Sequence, residues 1–183
     1  MNTPNMKTSK TSTAFKNIII WRHAEAHPAL AQGEDEFLMQ SGQRDLARML
    51  TPKGKQQAKR MANWLNERLP KDTLLLSSPA MRAFQTAQAL KGEVKVVEAL
   101  KPSANLQQVL AVLAGFETST QNTLLVGHQP WLWQLVAHLT SFTAQEISIK
   151  KGAVWWLRLS VDELDAHATR YNIVAVQSPS LLD

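Results

Sequence analysis

The sequence predicts an α/β fold, a three-layer arrangement in which a mostly parallel sheet carries helices on both faces and at least one antiparallel strand. Three observations lead there. Short apolar runs rich in Ile, Leu and Val, too short for helices, alternate with amphipathic stretches at helical spacing. Thr51-Pro52 and Ser78-Pro79 each place a capping hydroxyl and a proline just before such a stretch. The last 31 residues include two strand-like segments, 153–159 and 169–176, joined by a polar turn. A chain of 183 residues fits one domain with a proper core. We expect residues 1–16 to be a flexible polar tail and 17–183 a single domain.

Taken in order, residues 17–21 form the first buried strand and deliver Arg22-His23 to its carboxyl end. A long connection, roughly 24–50, follows, with Gly33, Gly42, the acidic run Glu34-Asp35-Glu36, and Arg44 and Arg48 near its end. A connection of that length inside a compact domain is usually functional, as a lid or a substrate loop. From Thr51-Pro52 a helix carries Ala58, Met61, Ala62, Leu65 and Leu69 on one stripe and stops at Pro70. Thr73–Ser77 is the second buried strand, and residues 80–90 the next helix, with Arg82 in its first turn. A short strand at 94–97 leads to Glu98 and a loop containing Pro102. Leu106, Val109, Leu110 and Leu113 mark a further helix. Residues 122–126 then make a buried strand ending in Gly127-His128-Gln129-Pro130, and Pro130 opens a helix with Leu132, Leu135, Val136 and Leu139 inward.

Composition narrows the chemistry. Cysteine is absent, which removes disulfides and thiolate chemistry and suits a cytoplasmic protein. No apolar run is long enough to span a bilayer, and residues 1–16 lack the apolar centre of a signal peptide. The net charge of +5 owes three charges to Lys7, Lys10 and Lys16, in a stretch without acids. The remainder is close to balanced and carries no nucleic-acid footprint. No His, Asp and Glu spacing suggests a metal site, and the glycines form no nucleotide-binding fingerprint.

Arg22, His23, Arg82 and His128 each follow a buried strand, where side chains converge above a parallel sheet. Two guanidiniums and two imidazoles without a carboxylate suit a phosphoryl group. Arginine offers donor forks matched to phosphate oxygens, and a neutral histidine can take the group covalently. The neighbouring cations would keep that imidazole unprotonated. Alone, Arg22-His23 would be a structural pair, Arg82 a helix-surface charge and His128 a buried histidine; it is their order along the chain that favours a site.

The segments Trp21-Arg22-His23-Ala24-Glu25-Ala26, residues 48–54 (Arg-Met-Leu-Thr-Pro-Lys-Gly), 77–87 (Ser-Ser-Pro-Ala-Met-Arg-Ala-Phe-Gln-Thr-Ala) and Val126-Gly127-His128-Gln129-Pro130 resemble the histidine phosphatase superfamily. The closing Gln177-Ser178-Pro179 adds a likeness to its short SixA-like phosphohistidine phosphatases. That resemblance implies a phosphoglycerate-mutase-like fold and no cofactor. It also implies that His23 is the nucleophile, with Arg22, Arg82 and His128 binding the phosphoryl oxygens and Arg48 adding a further contact. Ala24 stands where the superfamily motif has glycine, a change found among SixA-like members. The implied partner is a phosphorylated protein, such as a histidine-containing phosphotransfer domain, or a small phosphorylated molecule, with no nucleic acid and no membrane.

Glu98 is the possible acid for an ester leaving group, but Glu98-Ala99-Leu100-Lys101-Pro102 matches the superfamily's acid motif poorly. A small-molecule phosphomonoesterase using Glu98 is therefore the first rival reading, and a non-catalytic phosphoprotein-binding module the second. His27, His138 and His167 have no matching context and are expected to be structural or exposed. Trp64 and Trp155-Trp156 are expected to pack the core or cover sheet edges, while Trp131 and Trp133, a few residues after His128, are candidates for the pocket mouth without being assigned to it.

Overall fold

The computed structural model describes residues 15–28, 41–116, 121–140, 148–160 and 170–182. The expected tail and the acidic run at 34–36 lie almost wholly or wholly outside these residues, as does His167. Six strands form one sheet: β1 (Asn17–Arg22), β2 (Leu74–Ser77), β3 (Val94–Val96), β4 (Asn122–Gly127), β5 (Val154–Leu159) and β6 (Tyr171–Gln177). The helices are α1 (Ser41–Ala47), α2 (Pro52–Asn66), α3 (Met81–Ala87), α4 (Leu106–Gly115) and α5 (Trp131–Thr140).

The spatial order is β3-β2-β4-β1-β5-β6. β3, β2, β4 and β1 run parallel, β5 is antiparallel to β1, and β6 is antiparallel to β5. The first strand of the sequence thus sits centrally, which explains why its residues are apolar on both faces. Alternation along β1 divides the core. Ile18 and Ile20 pack with Val109 and Leu113 of α4 and Leu132, Leu135 and Val136 of α5. Ile19 and Trp21 pack on the other face with Met61, Ala62 and Leu65 of α2 and Ala83 and Ala87 of α3. The sheet lies between two helical layers, as the sequence predicts.

Three local expectations need correction. α2 ends at Asn66 rather than reaching Pro70, because Glu67 already closes it with its amide on Asn63 and Leu65 carbonyls. α3 spans only 81–87 rather than 80–90, and its N-cap is Ala80, which lends no side-chain bond. The Ser78 hydroxyl accepts the Ala80 amide at 3.2 Å but also contacts His128, so it serves the turn and the residue that follows β4 together. Trp131 is fully buried in the core rather than lining a pocket mouth.

Thr51 behaves as expected, its hydroxyl accepting the Gly54 amide at 2.9 Å. Trp64 meets Trp156 edge-on at 6.5 Å, and Trp156 donates to Asn17, closing that end of the core.

Candidate active site

Parallel pairing brings the site together. Arg22 pairs with Gly127 and Ser77 with Val126 in adjacent ladders, so the chain leaves β1, β4 and β2 side by side. The His23 amide donates to Gly127 O at 3.1 Å, and the Ser78 amide to Val126 O at 3.0 Å. The His23 and His128 rings consequently stand 5.0 Å apart, centroid to centroid. A side chain at Gly127 would collide with the Trp131 ring, so glycine is needed for the indole to close up beneath this turn. Gly54 has a similar reason: a Cβ there would strike the Glu25 carbonyl, where α2 abuts the segment after His23. The turn before β5 completes the wall. Gly152, at φ +77°, donates its amide to the Arg22 and His23 carbonyls and accepts from the Trp21 indole.

Each of the four chemical side chains is tied at one end. Arg22 Nη1 donates to Ile149 O, and Arg82 donates through Nη1 and Nη2 to the Asp45 carbonyl and carboxylate. His23 Nδ1 lies 2.7 Å from Ala24 O, and His128 Nε2 lies 2.8 Å from the Ser78 hydroxyl. The opposite atoms Arg22 Nε, Arg82 Nε and His128 Nδ1 are buried without a hydrogen-bond partner. An orphaned buried donor costs about 1–3 kcal/mol. Two guanidinium N–H donors and one imidazole nitrogen left unpaired on these residues are groups that an anion with several acceptor oxygens could satisfy.

The electrostatics agree. A carbonyl can only accept, so His23 Nδ1 carries the proton and Nε2 keeps the lone pair. Burial lowers the His23 pKa to about 3, against the Ala24 bond and with help from Arg82, Arg22 and Lys151. His128 is lowered to about 2 by burial, then by His23 and the arginines. Both rings are neutral across the physiological range. Arg82 is 4% exposed and shares its charge with Asp45. Burial raises the Asp45 carboxyl, but its bonds to Arg82 and Arg48 hold it below the usual range and ionised.

Of the residues singled out in the sequence, Arg22, His23, Arg82 and His128 come together. Arg48 joins the periphery: its Nη1 pairs with Asp45 at 2.9 Å and its Nε donates to His27 O. Glu98 follows β3 at the same end of the sheet, but it is exposed and no hydrogen bond or ion pair links it to the four. Trp133 and His138 line a surface groove between α4 and α5 that none of the four residues touches. Four contributors escaped sequence reasoning: Asp45, Ser78, Lys151 and Thr86. The buried Thr86 hydroxyl accepts the Ala24 amide and donates to Arg82 O, joining the two arms of the site. Among the described residues no group of three His, Asp or Glu could hold a metal ion.

Known proteins share this fold. The histidine phosphatase superfamily (branch 1) matches residues 18–109. An uncharacterized protein of Picosynechococcus sp. is 32% identical over 143 residues, spanning 74% of this chain and 86% of its own. The protein histidine phosphatase SixA, solved with tungstate, superposes with a TM-score of 0.69 at 25% identity, over 91% of this chain and 99% of that one. A phosphoserine phosphatase variant from Entamoeba histolytica, solved with phosphoserine, has the same fold at a TM-score of 0.60 and 17% identity, over 89% and 97% of the chains.

Proposed function

The chain belongs to the histidine phosphatase superfamily, and on that premise we propose that it is a phosphohistidine phosphatase working through a covalent intermediate on His23. The observation that carries the reading is the tethering of His23 Nδ1 to Ala24 O, which leaves Nε2 as an unprotonated nucleophile among orphaned donors. In the first step the Nε2 lone pair attacks phosphorus in line, and the bond from phosphorus to the substrate nitrogen breaks. The departing imidazole takes its proton from solvent. In the second step a water oxygen attacks phosphorus, the bond to His23 breaks, and the water's proton leaves with phosphate or solvent. Arg22, Arg82 and His128 stabilise the charge on the phosphoryl oxygens throughout, with Arg48 at the rim, so catalysis is chiefly positioning and electrostatics.

The leaving group favours a phosphoramidate. An alkoxide needs a proton at the moment of departure, and Glu98 is exposed and unconnected to the site. An imidazole nitrogen leaves a phosphoramidate more readily than an alkoxide leaves an ester, so it needs less acid assistance, and solvent can supply the proton. A phosphorylated histidine on a phosphotransfer protein of the cytoplasm would meet these requirements. The rival reading, a small-molecule phosphomonoesterase with Glu98 as acid, draws on the position of Glu98 at the carboxyl end of β3. A phosphate-release assay over phosphohistidine proteins and phosphomonoesters, with EDTA and with His23→Ala alongside, separates the readings. Preferred release from phosphohistidine, lost in the variant, is expected. Preference for esters, abolished by Glu98→Gln, would support the rival, and phosphate binding without release would indicate a binding module.

A further inference from the structure

We propose that Ser78 is a positioning residue that sets the tautomer of His128, so that Nδ1 carries the hydrogen and presents it to a phosphoryl oxygen; this rests on the phosphoryl-transfer reading above. The argument is an accounting of hydrogens. His128 is 3% exposed and Ser78 fully buried, and Nε2 lies 2.8 Å from the hydroxyl oxygen. That oxygen already accepts the Ala80 amide at 3.2 Å.

If Nε2 carried the hydrogen, the Ser78 oxygen would accept twice. Its own hydrogen would then be buried with no acceptor, and the His128 Nδ1 lone pair would also be unpaired. If the Ser78 hydroxyl donates to Nε2, only one group is left over, the Nδ1–H. A lone pair at Nδ1 would repel phosphoryl oxygens, whereas an N–H would bind one. The ring's depressed pKa means it holds a single hydrogen, so the choice of nitrogen matters. The Ser78 amide on Val126 O and the parallel pairing of β2 with β4 hold the hydroxyl in register with the ring.

The test is a long-range proton–nitrogen spectrum of the imidazoles in protein labelled with ¹⁵N-histidine, near pH 7.5. His128 should show a protonated Nδ1 and an unprotonated Nε2 in the wild type, and lose that preference in Ser78→Ala, which removes a single oxygen atom. Turnover of phosphohistidine by Ser78→Ala should fall on the order of 10²-fold, mainly in kcat. The same substitution should cost less than threefold in a His128→Asn background, whose amide needs no tautomer. Protonation of Nε2 in the wild type, an unchanged tautomer in Ser78→Ala, or equal losses in both backgrounds would each overturn the proposal. The spectrum requires no turnover, so a failure of the phosphatase reading would appear separately, as hydrolysis independent of His23.

Discussion

Asp45 grips Arg82 from two sides, its backbone carbonyl accepting from Nη1 and its Oδ2 from Nη2, while its Oδ1 reaches Arg48. Arg82 is nearly buried and Asp45 about a third exposed, so one carboxylate neutralises a charge that water cannot. Removing one partner of a fully buried pair costs about 3–5 kcal/mol. With this exposure, Asp45→Asn should cost about 1–2 kcal/mol. An anion in the site would replace the missing charge, so saturating orthophosphate should raise Tm more in the variant than in the wild type. Equal thermal shifts would show that Asp45 does not compensate Arg82.

Arg82 itself should be more sensitive in rate than in stability. Its Nε is the orphaned donor of α3 facing no protein partner, and loss of one such donor costs roughly 10²–10³ in kcat. Arg82→Lys should recover little of this, because an ammonium cannot hold Asp45 as a fork while donating from a second edge. Single-turnover rates for the wild type, Arg82→Lys and Arg82→Ala would measure it; full recovery by lysine would contradict the two-edged role.

The histidines also make stability depend on pH. Their folded pKa values, about 3 for His23 and about 2 for His128, lie below the unfolded value near 6.5. Between those limits the unfolded chain binds more protons, so stability is full above about pH 6.5 and is lost as pH falls. From pH 6 to pH 5 the pair should remove about 2 kcal/mol. Urea midpoints of the wild type at the two pH values, against His23→Gln/His128→Gln, isolate the effect from other groups. Equal losses in both proteins would mean that the rings titrate normally when folded.

Glycine at 127 is required by contact, not by backbone angle. Because a Cβ would meet the Trp131 ring, Gly127→Ala should destabilise by at least about 2 kcal/mol. It should also lower activity more than tenfold by moving His128. Chemical denaturation and turnover measured on the same preparation would check both, and a fully stable, active variant would show that the indole can retreat.

The layering and the principal residues were legible because they depend on local patterns. Apolar runs identified the strands, and the residues just past them could only collect at one end of a parallel sheet. What escaped depends on distant chain segments meeting. Asp45 and Arg48 form an i,i+3 pair visible in the sequence, but the hold on Arg82, 37 positions away, exists only after α1 packs near α3. Ser78 read as a helix cap, since nothing local shows that β4 would set an imidazole beside its hydroxyl. Closeness in sequence to His128 made Trp131 no more than a candidate for the pocket mouth. The missing Cβ at Gly127 is what lets the ring turn inward instead.

The central claim is that His23 Nε2 carries the phosphoryl group between substrate and water. Rapid mixing of the enzyme with a ³²P-labelled phosphohistidine protein, denaturing quench and peptide mapping tests it most directly. The account predicts acid-labile label on the peptide bearing His23, formed at least as fast as turnover and absent in His23→Ala. Phosphate release at the normal rate without label on that peptide, or near wild-type turnover by His23→Ala, would contradict it.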